Sequence, residues 1–199
     1  MLKQLYKHKA VWVIEHVLFA GSPMYLAITK YADNPQMHYL LMAFSAAYMF
    51  LVALWLSAGQ WDLGFEFKNF YAHLKAILPS TFALGIIIVL LKQFNLIAGG
   101  GEISLGQTLL YLTLSVPLQE LVFRSFCVWR CALSWNSIVF ITIFTSANFA
   151  FYHLMFGTWE LVIGVFLLNL FWQFWYIRQR NVTVIAISHA ILGLAYFYF

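Results

Sequence analysis

The feature that most constrains the fold of this chain is a series of long apolar segments separated by short polar breaks. Of the 199 residues, 63% are hydrophobic and 9% are charged, which is more apolar surface than a soluble domain needs. A run of about 20 apolar residues is long enough to cross the hydrocarbon core of a bilayer. The segments are Ala10–Thr29, Met37–Ala58, Ile77–Leu91, Gly106–Leu133, Ser137–Phe156, Trp159–Ile177 and Val182–Phe199. We therefore predict an all-α polytopic transmembrane bundle of about seven spans, in which residues 1–199 form a single integral membrane domain.

The basic residues predict how this bundle is oriented. Loops on the cytoplasmic side of a membrane protein carry an excess of Lys and Arg. If the N-terminus is cytoplasmic, Lys30 and Lys92 fall outside. The basic residues that then fall inside are Lys3, Lys7, Lys9, Lys68, Lys75, Arg130, Arg178 and Arg180. This distribution predicts an N-terminus inside and a C-terminus outside. The net charge of +4 is too small to indicate nucleic-acid binding, so membrane lipids are the expected surroundings.

Three smaller features fit a membrane protein. The segment Gly59–Lys75 mixes charged and aromatic side chains, which predicts an interfacial stretch and not a span. Cys127 and Cys131 are four residues apart in an apolar segment, a spacing that favours packed thiols over a disulfide. Aromatic residues near segment ends, including Trp172 and Tyr176, are typical of the belt at the membrane surface.

Glu120 and Arg124 are two charged residues that an apolar membrane segment does not need in order to fold. They lie four residues apart in the fourth apolar segment, so on a helix they share one face. Ionisable groups inside a membrane are costly and are usually functional. Pro117 should kink or restart this helix, which would place Glu120 in a first turn, where the helix dipole favours a carboxylate. The pair is either part of a functional site or a buried ion pair that braces the bundle.

His153 and His189 are two further ionisable groups in later apolar segments. A single histidine in a membrane helix is often an interhelical hydrogen-bond partner, but two of them together with an acid favour a reaction site. Neutral imidazoles can hold a water or donate to an oxyanion, and a carboxylate can accept a proton. Glu120, His153 and His189 are also a plausible three-ligand set for zinc. The spacing does not decide between a metal site and a metal-free one.

Other intramembrane polar residues are weaker candidates. Glu15 and His16 in the first segment, and Asn169 and Gln173 in the sixth, are expected to make interhelical polar contacts or to line an entry path.

In three short motifs the chain resembles the CAAX-protease and bacteriocin-processing (Abi) family of intramembrane endopeptidases. The family motifs E-E-x-x-x-R, F-x-x-x-H and H-x-x-x-N follow one another on successive membrane helices. Their counterparts here are Gln119–Arg124, Phe149–His153 and His189–Gly193. The resemblance covers the C-terminal half of the chain, from about Ser115 to Gly193. The expected catalytic half, which carries these motifs, is about residues 106–199. It also implies a bacterial cytoplasmic membrane as the location.

Two positions depart from the family pattern. Gln119 stands where the family has the Glu that is taken to activate the attacking water, and an amide cannot accept that proton. Gly193 stands where the family has an Asn thought to help bind the oxyanion. Three interpretations stay open: a local kink lets Glu120 serve instead, the Gln silences the enzyme, or the protein is naturally inactive. We favour an active variant that relies on Glu120.

The resemblance implies an intramembrane endopeptidase, of the glutamic or the metallo type, that hydrolyses a peptide bond near the end of a membrane-anchored or lipidated protein. Glu120 would be the general base or a metal ligand, His153 and His189 would hold the water or oxyanion, and Arg124 would orient Glu120. Gln119, Asn148 and Phe149 would support the substrate or oxyanion. One alternative is a catalytically silent relative that acts as an immunity or scaffold protein. Another is a small proton-coupled transporter, although the internal repeats that transporters often carry are not evident here.

Overall fold

The computed structural model describes residues 8–16, 35–57, 64–97, 103–156 and 159–198, and within these ranges the regular structure is helical. We label the helices α1 (Lys9–His16), α2 (Pro35–Ser57), α3 (Phe70–Gln93), α4 (residues 105–132), α5 (Ile138–Phe151), α6 (Trp159–Gln179) and α7 (Val182–Tyr198). A 3₁₀ turn, Tyr152–Phe156, continues α5. The predicted all-α class is thus confirmed.

The predicted spans are matched to different degrees. Within the described ranges, two helices, α3 and α6, are long and apolar enough to cross a membrane. Three further apolar helices are shorter, namely Ala46–Leu56, Ile138–Leu154 and Val182–Tyr198. Most of the first predicted span lies outside the described residues, because the description of α1 ends at His16. The third span was placed too short, since α3 begins at Phe70. Residues 70–75 of the predicted interfacial stretch therefore belong to this long helix.

The bundle exposes many large apolar side chains, and it buries many polar side chains next to its apolar core. On α3, Phe82, Ile86 and Ile87 are about half exposed or more, as expected of a surface that faces lipid tails. Among the described residues, buried polar and charged side chains occur on six helices, and they include Glu15, Glu120, Arg124, Arg130, Asn169, Gln173 and His189. A soluble protein keeps most charged side chains at its surface.

Helix α4 lies at the centre of the bundle. It packs against α2, α5 and α7, while α7 also packs along α3 and α5 packs along α6. A hydrogen-bonded chain ties three of these helices together. The Trp172 indole on α6 donates to the Ser188 hydroxyl on α7 at 3.0 Å, and that hydroxyl lies 2.7 Å from the Thr81 hydroxyl on α3. In an apolar medium such bonds hold neighbouring helices in register.

A second buried ion pair joins the start of the chain to α4. The Arg130 guanidinium contacts the Glu15 carboxylate at 2.6 Å, and the Tyr48 hydroxyl donates to the same carboxylate at 3.0 Å. The expectation that Glu15 makes an interhelical polar contact is thus confirmed. The counting of Arg130 among the cytoplasmic loop charges was wrong, because Arg130 is fully buried.

The other expected interhelical polar contacts are met only in part. His16 bonds to the Trp12 carbonyl on its own helix, and the Gln173 amide has no hydrogen-bond partner among the described residues. The Asn169 amide on α6 donates to the Ser146 hydroxyl on α5 at 2.9 Å. Cys127 and Cys131 are free, buried thiols.

Candidate active site

Helix α4 carries the first motif on an irregular but unbroken helix. Two π-helical segments, Tyr111–Ser115 and Leu121–Phe126, flank the α-helical turn Val116–Glu120. Pro117 lies at the start of that turn. A π-turn takes up the hydrogen bond that proline cannot make, and such turns are frequent at functional sites. The backbone stays helical throughout, so the prediction of a restarted helix with Glu120 at its N-terminus was wrong.

Glu120 is instead held by two side chains. One carboxylate oxygen, Oε1, lies 2.7 Å from Nδ1 of His189 on α7. The other, Oε2, lies 3.2 Å from Nε of Arg124. Glu120 and Arg124 are fully buried, and the predicted contact between them is thus confirmed. The carboxylate is stabilised by a neighbouring cation and a hydrogen bond, and not by a helix dipole.

The Arg124 guanidinium also lies near two aromatic faces. Its Cζ atom is 5.3 Å from the centre of the Phe149 ring and 5.6 Å from that of the Trp172 ring. Cation–π contacts of this kind are strongest where water is excluded. Arg124 is therefore fixed by Glu120 on its own helix and by aromatic rings from α5 and α6.

His189 lies in the middle of α7, and the ring of Trp172 packs against it. The two ring centres are 4.5 Å apart and the rings are inclined by 32°. Because a carboxylate can only accept, the bond to Glu120 uses the N–H of Nδ1, and Nε2 is the nitrogen that carries the lone pair when the imidazole is neutral. Sequence reasoning missed Trp172, which was assigned to the aromatic belt but is buried. Its nearness to a segment end gave no signal of this contact.

His153 lies just beyond α5, in the 3₁₀ turn. Its Nδ1 is 3.0 Å from the backbone carbonyl of Phe149, so this nitrogen donates and Nε2 again carries the lone pair. The Phe149 ring centre lies 5.0 Å from the His153 ring and 5.7 Å from the His189 ring. Both histidines thus contact one aromatic side chain.

The three residues that were predicted to support the substrate or oxyanion differ in their contacts. Phe149 contacts both histidines, as described. The Gln119 amide donates to the Ser115 hydroxyl at 2.8 Å, one turn earlier on α4. The Asn148 amide nitrogen is buried and has no hydrogen-bond partner among the described residues.

The proposed zinc ligands do not form a metal site in the part of the chain that the structure describes. In those ranges, no group of three His, Cys, Asp or Glu side chains is arranged to hold a metal ion. Glu120 and His189 are bonded directly to each other, whereas His153 is linked to them through Phe149. The three-ligand alternative therefore does not fit the geometry of these side chains.

A comparison with protein families finds a match in the part of the chain that carries these residues. Residues 101–195 match the family described as type II CAAX prenyl endopeptidase Rce1-like. This part of the chain is therefore similar to the CAAX-protease family. The matched range contains Glu120, Arg124, His153 and His189, and the CAAX-protease family is one of proteases. With its apolar helices, the chain is an integral membrane protein.

Other comparisons give weaker likenesses. Over 108 residues, or 54% of the chain, the sequence is 26% identical to the cytochrome b556 subunit of formate dehydrogenase from Haemophilus influenzae. The chain spans 42% of the length of that relative, so this likeness does not indicate an activity of the protein. No solved structure matches the chain.

Proposed function

We propose that this protein is an intramembrane endopeptidase that hydrolyses a peptide bond near the end of a membrane-anchored or lipidated substrate. The observation that carries the proposal is the buried contact between Glu120 and His189, in the part of the chain that matches a protease family. A carboxylate bonded to Nδ1 of an imidazole holds it in the tautomer whose Nε2 can accept a proton. The pair is therefore suited to general-base catalysis.

In the mechanism that we propose, His189 Nε2 takes a proton from the attacking water, whose oxygen bonds to the substrate carbonyl carbon. Glu120 stabilises the imidazolium that forms, and Arg124 keeps Glu120 ionised in the apolar interior. The imidazolium then gives its proton to the amine that leaves as the carbon–nitrogen bond breaks. Glu120 thus serves catalysis through His189, whereas sequence analysis had it act on the water directly. His153 is the second imidazole that positions the water or the carbonyl.

This proposal is tested with purified protein in liposomes and a lipidated peptide that carries a fluorophore and a quencher on either side of the scissile region. We expect the wild type to cleave the peptide, and Glu120→Gln and His189→Ala each to abolish cleavage. Glu160→Gln, which changes an exposed glutamate at the start of α6, is the matched control and should cleave at the wild-type rate. A chelator should leave that rate unchanged. If all variants cleave equally, the site is elsewhere.

The second candidate is a silent relative that binds a membrane peptide without cleaving it. The observation that favours it is Gln119, whose amide is bonded to Ser115 at the position where the family has its first Glu. A peptide that binds the wild-type protein and stays intact would support this candidate over the protease.

For the setting of the protein, we propose a bacterial cytoplasmic membrane and about seven spans, with the N-terminus inside and the C-terminus outside. The remaining charge asymmetry supports this orientation after Arg130 is removed from the count. The test introduces single cysteines at Lys68 and Tyr198, in a chain without its native cysteines, and treats intact spheroplasts with a thiol reagent that does not cross the membrane. Labelling of the Tyr198 position and protection of the Lys68 position are expected, and the reverse pattern would contradict this orientation.

A further inference from the structure

The second departure from the family motifs, Gly193 on α7, has a partner on α4. A Cβ atom built at position 193 would overlap the hydroxyl oxygen of Tyr111 and would lie 2.5 Å from Tyr111 Cζ. The space next to the Gly193 backbone is therefore filled by the phenol group of Tyr111. This is the space that the first atom of an Asn side chain would need.

Tyr111 is held in this place mainly by its ring. The ring centre is 5.3 Å from that of Phe197 and 6.1 Å from that of His189, and both pairs pack edge to face. Its hydroxyl oxygen is 3.5 Å from the backbone carbonyl of His189, which is at the long limit for a hydrogen bond. The ring thus fixes the position of the hydroxyl, while its present hydrogen bond is weak and readily exchanged for a better acceptor.

The backbone of α4 explains how Tyr111 reaches α7. Tyr111 opens the first π-helical segment, Tyr111–Ser115, directly before the turn that ends at Glu120. The wider turn shifts the residues before it relative to those after it. One irregular helix therefore presents both Tyr111 and Glu120 to His189, from positions nine residues apart in the sequence.

We propose that the Tyr111 hydroxyl replaces the missing Asn side chain and donates a hydrogen bond to the substrate carbonyl oxygen during cleavage. This inference rests on the proposed function. As the water oxygen bonds to the carbonyl carbon, the π electrons of the C=O bond move to its oxygen, and the Tyr111 O–H stabilises that negative charge without giving up its proton. A phenol is a suitable donor because it stays neutral at physiological pH.

The activity test is the substitution Tyr111→Phe, which keeps the ring and removes the donor. Loss of one oxyanion donor costs about 10²- to 10³-fold in kcat, and we expect a loss of this size with KM little changed. Tyr198→Phe is the matched control. The Tyr198 hydroxyl also bonds across α4 and α7, to Thr108 and to the Ile103 carbonyl, but at the end of the bundle away from His189, so kcat should not change. A wild-type kcat in Tyr111→Phe would overturn the donor role.

A second measurement tests the placement without relying on catalysis. Gly193→Ala should lower the thermal unfolding temperature, because the new methyl group collides with Tyr111. In a protein that already carries Tyr111→Ala, adding Gly193→Ala should cause no further decrease. Tyr111→Ala with Gly193→Asn should regain activity relative to Tyr111→Ala alone, since the pair restores the family's arrangement. If Gly193→Ala is as stable as the wild type, Tyr111 does not occupy this space and the inference fails.

The two proposals fail in different ways. A wild-type protein that cleaves the lipidated peptide, together with an unimpaired Tyr111→Phe, overturns the role of Tyr111 alone. A wild-type protein that binds the peptide and does not cleave it overturns the proposed function and the donor role together.

Discussion

Substitution of Glu120 by Gln separates the two tasks that the structure gives this carboxylate. Glu120 accepts a hydrogen bond from His189 and balances the charge of Arg124, and the two side chains of the ion pair are fully buried. The amide of Gln keeps the shape, but it carries no charge and can turn its NH₂ group toward His189, which would favour the wrong tautomer. In the serine-protease triad, the corresponding change lowers kcat by about 10⁴-fold, and we expect a loss of similar size here.

The same substitution should also weaken the fold, because it leaves Arg124 without its anionic partner. At the 3.2 Å separation of the pair, Coulomb's law with an effective dielectric constant of about 20 gives about 5 kcal/mol. Removing one member of a buried pair typically costs about 3–5 kcal/mol. Contacts of Arg124 with the rings of Phe149 and Trp172 should keep the loss toward the lower end. Thermal unfolding in detergent, followed by tryptophan fluorescence, measures it.

A double substitution distinguishes loss of chemistry from loss of fold. Glu120→Gln combined with Arg124→Met removes both charges, so it should recover much of the stability lost in Glu120→Gln. It should nevertheless remain inactive, because His189 still lacks its carboxylate. If the double variant regains activity along with stability, Glu120 is a structural residue and the reasoning about His189 is refuted.

The remaining predictions concern the neighbours of this pair and the second ion pair. Arg124→Leu should reduce stability about as much as Glu120→Gln and should reduce cleavage as well; a variant neutral in both assays would show that the pair does not position the acid. Gln119→Ala should retain measurable cleavage, since Gln119 can at most orient water; if the wild type is inert and Gln119→Glu switches cleavage on, the chain is a silenced enzyme. Glu15→Gln should lower the unfolding temperature, because it leaves Arg130 buried without its carboxylate, yet the kcat of the folded fraction should stay within about twofold of the wild type; a selective fall in kcat would place that pair in the site.

Local spacing predicted the parts of the site that depend on one helix. Glu120 and Arg124 are four residues apart, and a helix brings residues at that spacing together whatever the rest of the fold does. The motif order also predicted that α5 and α7 would bring His153 and His189 near Glu120, and the direct contact was found for His189. The length of the apolar segments likewise predicted where most helices lie.

The features that sequence reasoning missed depend on contacts between distant segments. The ion pair of Glu15 and Arg130 joins residues that are far apart in the chain, and nothing local to either residue indicates the other. The π-helical segments leave no composition signal besides Pro117, which equally suits a kink or a restart. Trp172 looked like a belt residue because nearness to a segment end does not report whether a side chain faces lipid or the bundle. Tyr111 becomes visible as a partner of Gly193 only when α4 and α7 are packed together.

The most direct test of the central claim is to follow the fate of a lipidated peptide with the wild-type protein in liposomes made up in H₂¹⁸O. If water attacks the peptide carbonyl in this site, mass spectrometry should find a shortened lipidated fragment whose new carboxyl group carries one ¹⁸O, and this product should be absent with His189→Ala. A peptide that binds the wild-type protein and is recovered intact would contradict the account.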